Sequence, residues 1–335
     1  MTLFCLPHLR IMQHCDMRVW FPPQVQPELV PCNHCGSTEE EVLFEGPDRL
    51  LHLPGVFRVV KCLQCGWIRQ NPRPTIETIS YYYPSYYVNF IAAIEDEPSV
   101  WRRWDRRYGI LKRRWAIERL QSKGRLLDIG CATGIFLQEM RKAGWDVMGI
   151  EPHSEAAEYA RKHFGLPVYV GVLRDVVLPF NSFDVITLWD VLEHLHTPWA
   201  DLKQINHLLK DNGLLVIRVP NLESIDARLF GPFWVGWDLP RHLYLYPQKA
   251  LIAALAEIGF VVEERRCFAG NYSAFLSSLQ FYLEDRHPLW IHFSQRMLRL
   301  LYSVPARLVF APLFWLSDQL YLSSTVTLFA RKRKR

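Results

Sequence analysis

An apolar strand that ends in a turn of small residues is encoded by Leu126-Leu127-Asp128-Ile129-Gly130-Cys131-Ala132-Thr133-Gly134. Such a turn lets a ligand approach the backbone closely, next to the N-terminus of the helix that follows. Glu151 comes 21 residues after Gly130, at the tip of the next predicted strand, where a carboxylate can bind both hydroxyls of a ribose. A dinucleotide-binding fold has an acid at nearly this distance, but Ala132 and Ile135 do not match its G-x-G-x-x-G pattern. A hydride-transfer enzyme is therefore disfavoured.

Around this stretch, from Gly124 onward, apolar strands alternate with amphipathic helices. The alternation predicts parallel βαβ units and a doubly wound α/β sheet. Residues 271–320 contain no glycine and only seven charged residues, so we expect a helical insertion there, before the last strand. Pro305 and Pro312 interrupt it, which disfavours a straight membrane-spanning helix of about 20 apolar residues. The predicted strands are 125–130, 146–151, 168–172, 183–190, 214–220, 260–267 and 323–330.

The chain has 335 residues, of which 50% are hydrophobic and 22% are charged. This composition excludes disordered and collagen-like classes and predicts a globular protein of about two domains. The net charge is +5, and part of the excess lies in the run Arg331–Arg335, so a strongly basic nucleic-acid binder is disfavoured. Pro7, His8 and Arg10 interrupt the first apolar stretch, and we expect no signal peptide. Residues 1–30 are predicted to be a loosely ordered tail.

Four of the eight cysteines form two C-x-x-C pairs, and a glycine follows each pair. Two thiolates separated by two residues can reach one tetrahedral metal ion, and the glycine lets the backbone turn so that its amides point at the sulfurs. We therefore predict a zinc ribbon over residues 31–70, with one structural zinc, in a reducing compartment. Free buried thiols and a redox pair are the alternatives. The predicted ligands are Cys32, Cys35, Cys62 and Cys65.

We interpret residues 71–121 as an aromatic and helical connector that is rich in arginine and tryptophan. Its second part has helical length, and large apolar residues recur there at steps of three or four, which marks one face of a helix. We expect this face to pack on the following domain, and the alternative is a basic aromatic surface for a polyanion. The residues concerned are Trp101, Trp104, Tyr108, Leu111 and Trp115.

Three motifs in the chain resemble those of the class I S-adenosylmethionine-dependent methyltransferases, and the resemblance covers residues 122–270 and the final strand. It implies a seven-stranded Rossmann-like sheet, a methyltransferase domain over residues 122–335, and S-adenosylmethionine as the cofactor. The motifs are Leu126–Gly134, Ile150-Glu151-Pro152, and the run from Ser182-Phe183-Asp184-Val185-Ile186 through Asp190-Val191-Leu192-Glu193-His194-Leu195.

The cysteine pairs, Asn71-Pro72-Arg73-Pro74, Tyr82-Tyr83-Pro84 and Asp238–Leu243 resemble a bacterial subgroup of these enzymes that carries an N-terminal zinc ribbon. This resemblance implies a small-molecule acceptor, a sugar or nucleotide-sugar in polysaccharide or secondary-metabolite biosynthesis. A second hypothesis is an RNA methyltransferase that uses the ribbon to bind RNA, and a third is a non-catalytic binding or scaffold protein. RNA-modifying relatives often have Asn/Asp-Pro-Pro-aromatic after the fourth strand, whereas this chain has Trp189-Asp190-Val191-Leu192.

The resemblance also assigns residues to the cofactor. Many relatives place an acid just after the third strand, but here Gly171 is followed by Val172, so backbone atoms or Asp175 must supply that contact. The implied set is Asp128, Gly130 and Gly134 at the methionine end, Glu151 at the ribose, Pro152, Val172 and Leu173 at the adenine, and Leu188, Trp189 and Asp190 on the floor of the site.

Methyl transfer from a sulfonium is an in-line displacement, and a base is needed only if the acceptor must lose a proton. Asp190, His194 and His242 are the candidate catalytic residues, because each follows a strand or lies on a predicted lid. His242 is the preferred base. The alternatives are a loop-fixing hydrogen bond for His242 and packing on the sheet for His194. Arg241 is a candidate to pair with an anionic substrate, such as the phosphates of a nucleotide-sugar.

We expect a cytoplasmic protein. The insertion 271–320 would serve as an apolar lid or as an attachment surface on the cytoplasmic face of a membrane, with the basic tail 331–335 attracted to anionic lipid. The alternative is that these helices pack on the domain or pair in a homodimer.

Overall fold

The computed structural model describes residues 19–84, 100–268, 271–285 and 297–334. Within these ranges, a large sheet is covered by helices on both faces and is joined to a smaller N-terminal sheet. The strands are β1 (Pro27–Glu28), β2 (Glu40–Pro47), β3 (Val56–Cys62), β4 (Ile68–Gln70), β5 (Arg73–Pro74), β6 (Arg125–Ile129), β7 (Asp146–Glu151), β8 (Val168–Val170), β9 (Phe183–Trp189), β10 (Leu209–Pro220), β11 (Tyr244–Leu245), β12 (Phe260–Arg266) and β13 (Thr325–Lys332). The helices are α1 (Val100–Leu120), α2 (Ile135–Lys142), α3 (Ser154–Phe164), α4 (Pro198–Leu208), α5 (Ile225–Phe230), α6 (Gln248–Ile258), α7 (Asn271–Glu284) and α8 (Val304–Gln319).

The large sheet has the strand order β12-β13-β10-β9-β6-β7-β8. Its strands from β6 to β10 run parallel, whereas β13 is antiparallel to both β10 and β12. The chain starts in the middle at β6, builds one half outward and then returns for the other half. The predicted doubly wound, seven-stranded α/β sheet is thus confirmed. Ligands bind such sheets at the carboxyl ends of the strands, beside the point where the order reverses, which here lies between β6 and β9.

Both faces of the large sheet are buried, which explains why its central strands are almost continuously apolar. On one face, Leu127 of β6 and Ile186 of β9 pack against α4 and α6. On the other face, Leu126 and Val185 pack against α1, α2 and α3. Because side chains alternate along a strand, neighbouring residues enter different layers. The two layers together fix the loops that follow β6 and β9.

The N-terminal sheet has the order β11-β4-β3-β2, and its neighbouring strands are antiparallel. Its first strand, β11, comes from the loop between β10 and α6, so the large domain completes the sheet of the ribbon. Residues 19–30 differ from the predicted loose tail. Trp20 forms a bridge with Val56, β1 pairs with β5, and Val25 is buried against the ribbon, which orders this segment. Residues 1–18 lie outside the described residues.

A buried ion-pair network joins the ribbon to the large domain. Arg241 has no exposed surface and donates to the two carboxylate oxygens of Asp48 at 2.8 and 2.7 Å. It also donates to Asp238 Oδ1 at 2.7 Å. Asp48 follows β2 in the ribbon, whereas Asp238 and Arg241 lie in the loop that leads to β11. Burying any one of these charges alone would be costly, so the network fixes the loop against the ribbon.

The aromatic face of α1 does not pack on the sheet, so that prediction was wrong. Trp104, Tyr108 and Trp115 are 54%, 39% and 47% exposed. Leu111 is half-buried, and the side chain of Trp101 lies outside the described set.

A second stripe with helical spacing runs along α1 and faces the core instead. It includes Ile110, Ile117 and Leu120, with Ala116 beside them. Sequence spacing alone does not distinguish the two stripes, because both satisfy the helical period. The smaller aliphatic residues pack closely on the sheet, which leaves the aromatic stripe at the surface among arginines.

The segment between β12 and β13 is helical where the structure describes it. It contains α7, a helical turn at residues 297–301, and α8, while residues 286–296 lie outside the described set. Of the helices that could be examined, none combines the length and the apolar character needed to cross a membrane.

The basic tail is partly built into the sheet, because Arg331 and Lys332 end β13. Lys332 is buried, and its Nζ donates to the Leu209 carbonyl at 2.7 Å. Arg331 Nη2 donates to the carbonyl of Leu120, the last residue of α1, at 3.0 Å. The predicted basic arm 331–335 therefore loses two of its charges to structural contacts.

We expect Arg241→Leu to lower the free energy of unfolding by about 3–5 kcal/mol, because it leaves Asp48 and Asp238 buried without a cation. The control is Arg58→Leu, whose ion pair with Glu45 is partly exposed and should contribute less than about 1 kcal/mol. Denaturant unfolding of both variants measures the difference. Equal effects would mean that the Arg241 network does not hold the ribbon in place.

Candidate active site

Two glycines in the left-handed conformation shape the turn after β6. Gly130 has a φ of +71°, and a Cβ there would lie 2.5 Å from Val191 Cγ2, so the turn lies directly against the loop after β9. Gly134 has a φ of +75° and precedes α2, and a Cβ there would lie 2.9 Å from Ala160 Cβ of α3. Sequence reasoning attributed both glycines to the approach of a ligand. In the structure, the packing of the protein itself already requires them.

Glu151 at the tip of β7 ties two loops together. Its Oε2 accepts the Ala132 N–H at 2.8 Å, and its Oε1 accepts the His153 N–H at 2.9 Å. The side chain is 2% exposed, and burial raises its pKa while the two amides oppose that rise. Each carboxylate oxygen keeps a lone pair, which leaves room for a hydroxyl donor. Pro152, the next residue, is exposed beside it.

Asp128 is buried in β6 and faces α1. Its Oδ1 accepts the Thr187 hydroxyl at 2.6 Å. Burial raises the pKa of Asp128 to about 7, while the Thr187 hydrogen bond and the charge of Arg113 act in the opposite direction. Arg113 itself lies 4.7 Å from the centre of the Trp189 ring, and burial lowers its pKa to about 10. This places a cation and a carboxylate together beside the turn after β6.

Sequence reasoning missed Arg113 as a candidate site residue. It lies in a helix with seven other basic residues, and nothing in the pattern distinguishes it from them. Its position relative to the buried stripe of α1 is the signal that could have found it, because Arg113 lies three residues after Ile110 and four before Ile117.

The residues after β8 that were predicted to contact the adenine differ in their surroundings. Leu173 is 3% exposed and belongs to the core, so its side chain does not face a ligand. Val172 is half-buried, and its N–H donates to Asp175 Oδ2 at 3.1 Å. Asp175 thus reaches back toward Gly171.

At the end of β9, the structure contradicts the predicted roles of Leu188 and Asp190. Leu188 has no exposed surface and packs in the layer of α4 and α6, so its side chain is not on the floor of the site. Trp189 points the other way and packs on Phe136 of α2 with ring centroids 5.5 Å apart. Asp190 has a φ of +57° and is held by both Nε and Nη2 of Arg218, with the Nε contact at 2.7 Å. A carboxylate paired in this way is poorly suited to act as a base.

Two histidines meet in the loops after β9 and before β11. His194 Nδ1 lies 3.0 Å from the Arg241 carbonyl and 3.0 Å from the Tyr83 hydroxyl. His242 Nδ1 lies 2.8 Å from the Gly236 carbonyl. Since a carbonyl only accepts, Nδ1 of each ring carries the proton, which leaves Nε2 with its lone pair. The two ring centroids are 4.7 Å apart.

Burial keeps both rings neutral. It lowers the pKa of His194 to about 3, and it also lowers the pKa of His242. Glu193, next in the chain, has no exposed surface, and its carboxylate oxygens find no hydrogen-bond partner among the described residues. Burial raises its pKa to about 8, so it is protonated at neutral pH. Both rings therefore keep a lone pair on Nε2 at neutral pH, while their lowered pKa values make them weaker bases than a free imidazole.

Arg241 was expected to bind an anionic substrate, and its surroundings contradict this. Its guanidinium is enclosed by Asp48 and Asp238 and has no exposed surface. An arginine already neutralised by two buried carboxylates does not attract a further anion.

The four ribbon cysteines converge as a tetrahedral metal site requires. Cys32 Sγ lies 3.4 Å from Cys65 Sγ, Cys35 Sγ lies 3.5 Å from Cys62 Sγ, and all four sulfurs are within 4.8 Å of one another. Zinc–sulfur bonds of about 2.3 Å place tetrahedral sulfurs about 3.8 Å apart. The backbone amides also turn toward the sulfurs, as predicted, with two donated to Cys32 and two to Cys62. The donor set therefore fits zinc.

The two knuckles share one backbone geometry. The glycines after the cysteine pairs, Gly36 and Gly66, have φ values of +76° and +77°. Each donates its N–H to the carbonyl of the first cysteine of its pair, at 2.8 and 3.0 Å. A positive φ at these positions favours glycine, which explains its place in both motifs.

The family model and the curated relatives that match this chain are all methyltransferases. Residues 101–265 match the model of a family described as "Methyltransferase domain". Over 129 residues, the chain is 34% identical to the ubiquinone biosynthesis O-methyltransferase of Actinobacillus pleuropneumoniae serotype 7, and the match covers 35% of this chain and 55% of that protein. The namesake from Rhodopseudomonas palustris strain HaA2 is 28% identical over 151 residues, covering 42% and 60%. The chain thus spans little more than half the length of these curated relatives.

The solved structure of an S-adenosylmethionine-dependent methyltransferase from Archaeoglobus fulgidus is also similar, with a TM-score of 0.46 and 17% identity. That match covers 75% of this chain and the whole of the other. The family match begins at residue 101, so it includes α1, which sequence analysis had assigned to the connector.

Proposed function

The chain belongs to the methyltransferase-domain family through residues 101–265, and we propose that it transfers the methyl group of S-adenosylmethionine to a small-molecule acceptor. The observation that carries this proposal is the Glu151 carboxylate, held at the tip of β7 against the turn after β6. A ribose-binding acid next to a turn of small residues is what this cofactor requires.

We assign the cofactor contacts as follows. Glu151 accepts the ribose hydroxyls, and Asp128 with Arg113 takes the ammonium and carboxylate groups of the methionine end, because their charges match. Gly130 and Gly134 shape the turn, while Pro152, Val172 and Asp175 lie at the adenine. Trp189 closes the site from the α2 side. The bound cofactor supplies a methyl group on a sulfonium.

We assign His242 as the general base for a hydroxyl acceptor. Its Nδ1–H is occupied by the Gly236 carbonyl, so only Nε2 can take a proton. His194 is held by the Arg241 carbonyl and Tyr83, and it supports the His242 ring by contact. The cluster is near the cofactor turn, because Val191, three residues before His194, fills the space beside Gly130. Alignment of acceptor and methyl group then provides most of the acceleration.

The acceptor we propose first is a sugar hydroxyl, which rests on the resemblance to the zinc-ribbon subgroup. The burial of Arg241 removes the expected contact to a nucleotide-sugar phosphate. One observation favours a second acceptor class, a hydroxyl on a molecule with an apolar chain. A cavity of about 310 Å³ lies between α5, α7 and α8, and it is lined mainly by apolar residues such as Phe275, Leu276 and Phe314. Incubation with labelled cofactor and separate panels of sugars, nucleotide-sugars, hydroxylated lipids and RNA distinguishes the acceptors.

We expect Glu151→Ala to weaken the binding of S-adenosylmethionine at least tenfold, about 1.4 kcal/mol, because the ribose loses its acceptor. Isothermal titration calorimetry measures the affinity. The matched control is Glu158→Ala, which removes an exposed carboxylate on α3 and should leave binding unchanged. Unchanged binding in Glu151→Ala would remove the basis of the cofactor assignment.

The pH profile tests the base. Because burial lowers the pKa of His242 from 6.5, the ring stays neutral and active as the pH falls toward that value. We therefore expect kcat/KM for a hydroxyl acceptor to decline only below pH 6.5. His242→Gln should lower kcat by about 10²–10⁴-fold while the affinity for S-adenosylmethionine stays the same. An acid limb centred above pH 6.5, or full activity of the variant, would exclude His242 as the base.

We also propose that Cys32, Cys35, Cys62 and Cys65 bind one structural zinc. Four thiolate ligands leave no position for a reacting water, so the metal has no catalytic role. Metal analysis should find close to one zinc per chain, and Cys62→Ser should lose it together with thermal stability. Cys267→Ser, which changes a half-buried thiol in the large domain, should retain both. A wild-type protein that is stable without metal would contradict the assignment.

A further inference from the structure

One face of α8 exposes a continuous set of large apolar side chains, which we call the α8 face. At about 100° per residue, its members fill less than half of the helix circumference. The charged residues of α8, Arg307 and Asp318, lie outside this arc. A helix face in contact with water normally carries charged residues, so an uncharged face of this size marks an interaction surface. Its members, each between 47% and 74% exposed, are Leu308, Val309, Leu313, Trp315 and Leu316, together with Leu320, which directly follows the helix.

The N-terminal half of α1 lies against the flank of α8 that carries Arg307. Arg307 Nη2 is 3.5 Å from Asp105 Oδ2, which joins α8 to the second turn of α1. Trp104 and Tyr108, on the same part of α1, are exposed and stack with ring centroids 5.3 Å apart. The N-terminal half of α1, residues 100–110, carries four arginines against one acidic residue, Asp105. The surface therefore combines an apolar helix face, exposed aromatic rings and a strongly basic neighbour.

We propose that the α8 face and the N-terminal half of α1 dock on an anionic lipid bilayer. Leucine and valine side chains enter the boundary of the hydrocarbon, and the aromatic rings lie at the level of the head groups. The positive charge of α1 is complementary to anionic lipid. α8 lies in the plane of the interface, since its 16 residues are fewer than the roughly 20 that a spanning helix needs.

Charge argues against a second copy of the chain as the occupant. A two-fold contact through the α8 face would bring two basic α1 helices close together, and like charges across an interface are unfavourable. Arg331 of the basic tail lies away from the surface. Arg331 contacts Leu120, which lies about 22 Å along α1 from Asp105.

The surface is next to the end of the large sheet at which the parallel strands have their carboxyl ends. α8 leads into β13, whose first residue, Thr325, pairs with Pro220 at the carboxyl end of β10. Docking therefore brings the carboxyl ends of the strands near the bilayer. The inference rests on exposure and charge, and it does not depend on the proposed methyl transfer.

Flotation of the full chain with lipid vesicles tests the proposal. Vesicles of phosphatidylcholine with about one third phosphatidylglycerol should carry the protein upward, pure phosphatidylcholine should carry less, and high salt should weaken the binding. Leu308→Glu/Leu316→Glu should reduce binding to the anionic vesicles at least tenfold. The matched control is Val177→Glu/Phe180→Glu, which alters two exposed apolar residues in the loop before β9 and should bind like wild type. Circular dichroism confirms that both variants fold.

Three outcomes would overturn the proposal. The first is the absence of wild-type binding to anionic vesicles. The second is equal binding by the α8 variant and the control. The third is a concentration-dependent dimer in light scattering that the α8 variant abolishes while vesicle binding stays unchanged, because the surface would then belong to a second copy.

Discussion

The burial of the Arg241 guanidinium between Asp48 and Asp238 is the constraint on which the arrangement of the site depends. A buried cation needs its carboxylates. If the ribbon separated from the loop before β11, a charged group would be left buried without a partner or would become exposed to water. The backbone of that loop supplies the carbonyls of Gly236 and Arg241, which orient the two histidines. The ribbon thus acts on the site through backbone geometry.

The loop before β11 serves both domains for the same reason. It provides β11 to the ribbon sheet, and the Leu243 N–H donates to the Glu193 carbonyl at 2.8 Å. Tyr83, from the segment after the ribbon, reaches His194 as well. The N-terminal ribbon is consequently a structural part of the proposed acceptor site.

The sequence predicted the large sheet and the turn after β6 well, because both follow from local periodicity and from glycines at fixed places. It failed where a three-dimensional choice decides between equivalent patterns. Leu188 and Trp189 are adjacent in β9, and only the packed layers decide which one faces the site. Arg241 lies in a loop, where an arginine is usually expected to be exposed, and its buried partner Asp48 is 193 residues away in sequence. The aromatic and aliphatic stripes of α1 have the same spacing.

The position of β13 has a consequence for synthesis. It lies between β10 and β12, and β12 has no other neighbour in the sheet. Until residues 325–332 leave the ribosome, the nascent chain carries β10 with an unpaired edge and β12 without any partner, while the apolar α8 has already emerged. Such edges and apolar segments invite aggregation. The interval between the synthesis of α8 and the synthesis of β13 is therefore one in which the growing chain is prone to aggregate.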